Sequence, residues 1–278
     1  EDEIRYSLEN YKKIVHKEYL KYSNEYKNSS ELIYFNEFVK NKQLVKTFKN
    51  INHMNFLDAK KEIYNQLKDS YLFYKTLDVH DISFYSSSNN LLLSMQENSK
   101  NNNSEIVAEV ILNKKELSSF KIVDDNYYLL FLKPIFDENL NFLGVINIEF
   151  DFTTLIKKLK YNNDFSFSII ASNQIKLNEN FYINLTEPQK GLVIDNISKS
   201  KEFSLITKSH SINSPSIFIP ILKSLGNKNS LYLVAYYLNK DSDIAKIDKY
   251  FDKGRSKAII AIIRKATLII KESINWYF

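Results

Sequence analysis

Few side chains in this 278-residue chain combine a reactive type with a suggestive position, and Glu149 is foremost among them. It lies in a run, residues 142–150, whose alternation predicts a β-strand. Phe142, Gly144, Ile146, Ile148 and Phe150 share one face; Leu143, Val145, Asn147 and Glu149 share the other. A carboxylate beside the Asn147 amide could hold an ammonium group of a ligand. The plainer alternatives are one wet face of an antiparallel strand or an ion pair with Lys133 on the neighbouring strand. His80 and Asp81 form an acid–base pair in sequence, but adjacent side chains on a strand point to opposite faces, so the pair is not expected to converge. His80 is therefore read either as a pocket donor or as a buried, hydrogen-bonded residue.

Several chemistries are excluded outright. The sequence has no Cys, which removes thiolate metal sites, thiol catalysis and disulfides. With four Gly and four Pro there is no Gly-rich phosphate loop. His16, His53 and His210 are scattered, with no H-x-H or H-E-x-x-H spacing, so no metal is expected. Ser86-Ser87-Ser88 lacks a G-x-S-x-G elbow and reads as turn chemistry. No catalytic constellation emerges, and neither an enzyme nor a cofactor is expected. The net charge of +5 comes from 38 basic and 33 acidic residues, with Arg only at positions 5, 255 and 264. Lys interleaved with Tyr, as in Tyr19-Leu20-Lys21-Tyr22, could stack bases. A nucleic-acid reader would use Arg clusters, and nucleic acid is not expected as a partner. The first residue is Glu1 and no signal peptide is visible, the pattern of a processed chain or an excised portion.

The elements that must position these residues are legible from periodicity. Ile4, Leu8, Tyr11, Val15, Tyr19, Tyr22 and Tyr26 make one apolar stripe, predicting a rod helix roughly 40 Å long at about 1.5 Å per residue. Helices are also expected over residues 31–48 and over 58–74, the latter capped by Asp58. At residue 77 the period changes. Strands are expected at 77–85 and 91–96 and at 119–123, 127–136 and 142–150, with a helix after Asn101-Asn102-Asn103-Ser104 and a short one capped by Asp151. Asp137 to Asn141 reads as a hairpin loop. A second set of strands follows at 165–171, 203–207, 216–222 and 230–238. Pro215 and Pro220 weaken the third of these or place it at an edge. Residues 173–200 carry no clear pattern. A helix is expected from Asp241, and the apolar end, residues 257–278, is broken by charges and reads as an amphipathic or docking helix rather than a span.

This order of elements resembles a double Cache domain, the extracytoplasmic sensor module of bacterial transmembrane receptors. Residues 128–155, YLLFLKPIFDENLNFLGVINIEFDFTTL, are similar to the final hairpin of that family's membrane-distal unit. Residues 77–95, LDVHDISFYSSSNNLLLSM, are similar to a strand–turn–strand of one branch, with His80 and Met95 in place but Ser94 where Arg is expected. The resemblance implies an α+β fold: a long N-terminal helical region (1–50), a membrane-distal PAS-like antiparallel unit (51–160), a membrane-proximal one (161–240) and a C-terminal exit helix and tail (241–278). It implies a periplasmic domain between membrane spans that lie outside this chain, a homodimeric receptor, and an output such as a chemotaxis, kinase or cyclase domain elsewhere in the parent.

It further implies a small-molecule ligand in the distal unit. Glu149 matches the position from which an Asp binds the ammonium of amino-acid ligands, with Asn147 beside it. Tyr85, Tyr127 and Phe131 are candidate walls, Asp125 is a candidate for the pocket mouth, and His80 and Ser94 are further candidates. The Arg and Trp of the family's carboxylate clamp have no counterpart in residues 6–160; Lys121 or Lys133 could substitute only as a point charge. The alternative is the same fold used for protein interaction or dimerisation, with Tyr19 and Tyr22 at the interface.

Overall fold

A computed structural model describes residues 2–96, 103–123, 126–161, 166–172, 186–209, 212–223 and 230–236. Helix α1 (Asp2–Tyr34) runs for 33 residues, or ~50 Å at 1.5 Å per residue. It does not stop in the polar stretch Lys27-Asn28-Ser29-Ser30. It widens into a π-helical turn (Phe35–Lys40) and ends at Asn41, whose side chain caps α2 (Lys42–Asn50) by accepting from the Leu44 amide at 3.1 Å. Helix α3 (Phe56–Lys75) begins earlier than its apolar stripe suggests, because Asn55 rather than Asp58 supplies the cap, accepting from Leu57 N at 2.9 Å. The stripe itself is as expected: Ile63, Leu67, Tyr71 and Tyr74 are buried.

The first sheet contains β1 (Val79–Ser86), β2 (Leu91–Ser94), β3 (Leu117–Val123), β4 (Asn126–Phe136) and β5 (Phe142–Asp151), all antiparallel in the order β2-β1-β5-β4-β3. Helix α4 (Ser104–Asn113) joins β2 to β3, and α5 (Phe152–Tyr161) follows β5. The Asp137 carboxylate builds the β4–β5 loop, accepting from the Asn139 and Asn141 amides at 2.9 and 2.8 Å. These bonds, led by the Asn141 side chain, hold its pKa down at about 2. The second sheet contains β6 (Ser166–Ala171), β7 (Phe203–Ser209), β8 (Ile212–Lys223) and β9 (Ser230–Tyr236) in the order β6-β9-β8-β7.

Two departures from the sequence reading lie in this second unit. Strand β8 is interior, paired with both β7 and β9, despite Pro215 and Pro220. The ladder register slips between Pro220 and Leu222, so a bulge falls where the missing N–H would interrupt pairing. Within the patternless residues 173–200 stands α6 (Glu187–Ser198), opened by a capping box between Thr186 and Gln189 with Pro at the first turn. Its only buried apolar residues are Val193 and Ile197, too few to make a stripe. Asp125 and the helices expected beyond residue 240 lie outside the described residues.

Both sheets put one face toward α1. Ile146, Ile148 and Phe150 of β5 join one hydrophobic cluster with Tyr19, Tyr22 and Tyr26 of α1 and with Ile217, Leu231 and Leu233 of the second sheet. Tyr26 stacks on Phe150 with ring centroids 4.8 Å apart, and the Tyr34 hydroxyl donates to the Pro134 carbonyl at 2.8 Å. Further toward its start, α1 pairs Lys12 with Glu202 at 3.1 Å, just before β7. Tyr19 and Tyr22 are therefore buried against the chain's own sheets and are not an exposed interface.

The opposite faces differ. That of the second sheet has an apolar patch closed by α6, made of Val193, Ile197, Phe203, Leu205, Phe218, Tyr232 and Val234, with Ser168 and Ser216 half-buried beside it. That of the first sheet packs Tyr85, Leu130, Leu132 and Val145 under Val107 and Val110 of α4, and beyond this patch it turns polar.

The sheet also fixes one glycine. A Cβ on Gly144 would stand 2.2 Å from the Tyr85 carbonyl oxygen, so β1 and β5 could not keep their approach. Gly144→Ala should cost about 1–3 kcal/mol, the range for overpacking, read as a lower urea midpoint with unchanged slope.

Candidate functional site

The polar end of the first sheet's outer face is built by strand register. Asp81 and Leu130 flank Glu149, and Ser83 and Leu132 flank Asn147. On the far side, Ser119 is paired with Leu130 and Lys121 with Tyr128. Paired residues share a face, so Asp81, Ser83, Ser119, Lys121, Tyr128, Asn147 and Glu149 all lie on one side.

Glu149 and Asn147 have no solvent exposure. An ionised carboxylate so placed must be compensated, and three groups do this. The Asn103 and Asn147 amides donate to Oε1 at 2.9 and 2.8 Å, and the Lys121 ammonium lies 2.6 Å from Oε2. The Asn147 amide also reaches Ser83 Oγ at 3.2 Å. Lys121 Nζ sits 5.3 Å from the Tyr128 ring centroid, and the His80 ring packs on Tyr128 from 4.4 Å away.

The network leaves polar atoms over. Among the described residues Asn103 Oδ1, Asn147 Oδ1 and Ser119 Oγ are buried with no hydrogen-bond partner, the Tyr85 hydroxyl lies by Ser83 and Asn103 without an aligned bond, and Glu149 Oε2 has its ion pair but no aligned hydrogen bond. Such groups are normally satisfied, and each one left over costs about 1–3 kcal/mol. Their concentration on one face is unused hydrogen-bonding capacity.

Four of the expected residues thus come together: Glu149, Asn147, Tyr85 and His80. Ser94 is adjacent, donating to Asp81 Oδ2 at 2.8 Å, while Asp81 Oδ1 accepts from Gln96 N at 3.0 Å. Tyr127 and Phe131 do not join them. They occupy alternate positions of β4 and face α1, Phe131 edge-on to Phe150 at 5.7 Å. Lys133 also faces that way and pairs with Glu31 and Glu116 at 2.7 and 2.8 Å, so Lys121 and not Lys133 is the partner of Glu149. His80 and Asp81, expected to diverge, are on the same side, because the β1–β5 register slips between Val79 and Asp81. Asn103 was legible only as a helix cap; it makes no cap bond and spends its amide on Glu149. Among the described residues there is no cluster of His, Cys, Asp or Glu able to hold a metal ion.

An open groove of about 640 Å³ lies apart from this cluster, between the start of α3 and edge strand β2, lined by Leu57, Lys61, Tyr64, Leu91 and Ser94 among others. On the β2 side its lining includes Ser94, whose hydroxyl donates to Asp81 of the Glu149 face.

No protein-family model matches the chain, and no curated protein is similar to it. Solved structures similar to it include the ligand-binding domain of the Pseudomonas fluorescens chemoreceptor CtaA in complex with L-isoleucine, at 12% identity, covering 88% of this chain and 98% of that one, with a TM-score of 0.47. The ligand-binding domain of the Campylobacter jejuni chemoreceptor Tlp3 in complex with L-valine is similar at 11% identity, over 86% and 96% of the two chains, with a TM-score of 0.39. An extracellular ligand binding receptor from Desulfohalobium retbaense is similar at 12% identity and a TM-score of 0.41; the match covers 70% of this chain but only 39% of that receptor's length. At these values the likeness assigns no residue a role.

Burial lowers the pKa of His80 below its ordinary 6.5, and Lys121 adds to the effect, while Glu149, Asp81 and Asp151 oppose it. The unfolded chain therefore takes up this proton first as pH falls. The contribution of neutral His80 is complete above about pH 6.5, declines below it, and levels off beneath the folded-state value. Urea midpoints measured from pH 8 to pH 5 should fall less steeply in His80→Gln than in the wild type; identical slopes would sink this account.

Proposed function

We propose that this chain is an extracytoplasmic sensor domain of a membrane receptor, and that it binds a small molecule on the Glu149 face of its first sheet. The observation that carries the reading is the contrast between two equivalent surfaces. Each sheet turns one face to α1 and the other outward to its own short helix. Where α6 covers it, the second sheet's outer face is apolar, and the polar side chains described beside that patch, Ser168 and Ser216, are neutral and half-buried, whereas the first sheet buries a carboxylate and several unpartnered polar atoms. A pocket needs a mostly apolar lining with a few aimed polar groups, and Tyr85, Leu130 and Val145 beside Asn147 and Glu149 supply that mixture.

In this reading residues 51–160 form the membrane-distal, ligand-binding unit, residues 161–240 the proximal one, and residues 241–278 the exit toward an output domain, with membrane spans outside the chain. Among the described residues no helix is long and apolar enough to cross a membrane. The ligand acts by population shift: it binds one arrangement of the sheet and α1 better than another, and biases the receptor by that difference. A homodimer is the form in which such a bias reaches the output. Exposed Leu57, Leu72 and Phe73 on α3 favour a second reading, partner binding through that helix.

A thermal-shift screen of small metabolites against wild type and Glu149→Ala decides between them. We expect at least one compound to raise the wild-type Tm and to lose its effect in the variant. A compound whose shift survives Glu149→Ala, with Leu72→Glu abolishing receptor output, would replace the pocket reading with the partner reading.

A further inference from the structure

We propose that Lys121 is a built-in occupant of an ammonium site at Glu149, and that the ligand is an organic amine without a carboxylate, which displaces it. This rests on the reading of the Glu149 face as the ligand site.

The division of Glu149 between its neighbours is the first ground. Oε1 is taken by two amide donors that belong to the framework, Asn147 within the strand and Asn103 at the head of α4. Oε2 is left to Lys121, in an ion pair 2.6 Å long that is not aligned as a hydrogen bond. The ammonium also sits 5.3 Å from the Tyr128 ring centroid. A carboxylate oxygen and an aromatic face together form the surroundings that recognise an alkylammonium ion. The protein's own side chain is in that position.

The second ground is the sign of what remains unsatisfied. Asn103 Oδ1 and Asn147 Oδ1 can only accept hydrogen bonds, and the hydroxyls of Ser119 and Tyr85 can do either. The unused capacity calls for N–H donors. To a carboxylate it offers the two hydroxyls alone, and such a group would face Glu149 with the charge of Lys121 already engaged. Lys133 cannot help, being held on the other face by Glu31 and Glu116. The ligand is accordingly a donor-rich cation.

Lys121 is placed so that it can leave. It stands on β3, an edge of the sheet, and its side chain keeps 13% of its exposure where Glu149 keeps none. A long, flexible lysine stem can carry its ammonium to solvent without moving the backbone. The lysine thus spares Glu149 an uncompensated buried charge in the empty receptor, and sets a threshold that the ligand must overcome. The apparent affinity is the intrinsic one reduced by the fraction of molecules in which Lys121 has swung away.

The test is isothermal titration of the full 278-residue chain with three matched probes: isopentylamine, L-leucine and isopentanol. Wild type, Lys121→Met and the double variant Lys121→Met/Glu149→Gln are compared. We expect Lys121→Met to bind isopentylamine roughly tenfold or more tightly than wild type, because the competing state is gone. The double variant, which removes the carboxylate and its lysine together so that neither is left stranded, should bind none. In wild type L-leucine should bind no better than the amine, and isopentanol not at all. Lys121→Gln, which retains a donor to Glu149, serves if the Met variant does not fold. Unchanged or weaker amine binding on removing Lys121, tighter binding of L-leucine, or silence to all three probes overturns the inference. If such silence accompanies a screening hit that Glu149→Ala abolishes, only the amine assignment falls and the ligand site stands; a hit indifferent to Glu149→Ala removes both.

Discussion

Strand β5 has to serve two media at once, and the rest of the distal unit is arranged around that requirement. Its even-numbered residues Ile146, Ile148 and Phe150 enter the hydrophobic cluster under α1, while Asn147 and Glu149, between them, are equally buried on the other side. A central strand with both faces covered normally reads as a continuous apolar run. Here a carboxylate is buried instead, and it recruits a partner from each surrounding element: Asn103 from the start of α4, Lys121 from β3 and, through Asn147, Ser83 from β1. Removing one partner of such a pair costs about 3–5 kcal/mol, because the other charge is then stranded. The network is therefore a specification of where α4 and β3 sit.

The same strand is the place where a change at the site meets the long helix. Phe150 follows Glu149 directly, points the other way, and stacks on Tyr26 of α1. Tyr128, which faces Lys121 and His80, is paired with Asp151 at the end of β5, where α5 begins. Packed cores shift between discrete arrangements rather than deforming smoothly. A displacement of β5 at Glu149 would reach α1 through that aromatic stack and the apolar cluster around it. Because α1 also contacts β8 and pairs with Glu202 near the second sheet, the helix joins the two units mechanically.

How much of this was legible in the chain follows from the kind of signal each feature leaves. Alternation identified the two faces of β5 and the hairpin before it, since period-two patterning is local and needs no partner. Alternation separates Tyr127 and Phe131 from Tyr128, but without a register it does not say which set shares the face of Glu149. That His80 lies on the same side as Asp81 escaped because a bulge is a property of two strands. Asn103 escaped because an Asn before a helix has an ordinary explanation in capping, and only the fold brings Glu149 within 2.9 Å of it. Helix α6 announces itself in Thr186 and Gln189 rather than in hydrophobic period, and β8 holds its prolines by slipping register at Pro220.

The scarcity of arginine acquires a physical meaning at this site. An Arg opposite Glu149 would form a planar, two-bonded fork, weakly hydrated and costly to separate once buried. Lysine presents a compact point charge on a four-carbon stem, prefers water when it can reach it, and from the edge strand β3 it can. The pair in this protein is close but not aligned, and one oxygen of the carboxylate is already committed to amides that do not move with the lysine. A fork would lock β3 to β5. A lysine compensates the carboxylate while leaving the contact exchangeable, which is the property a surface must have if an incoming cation is to register as a change in the position of the strands.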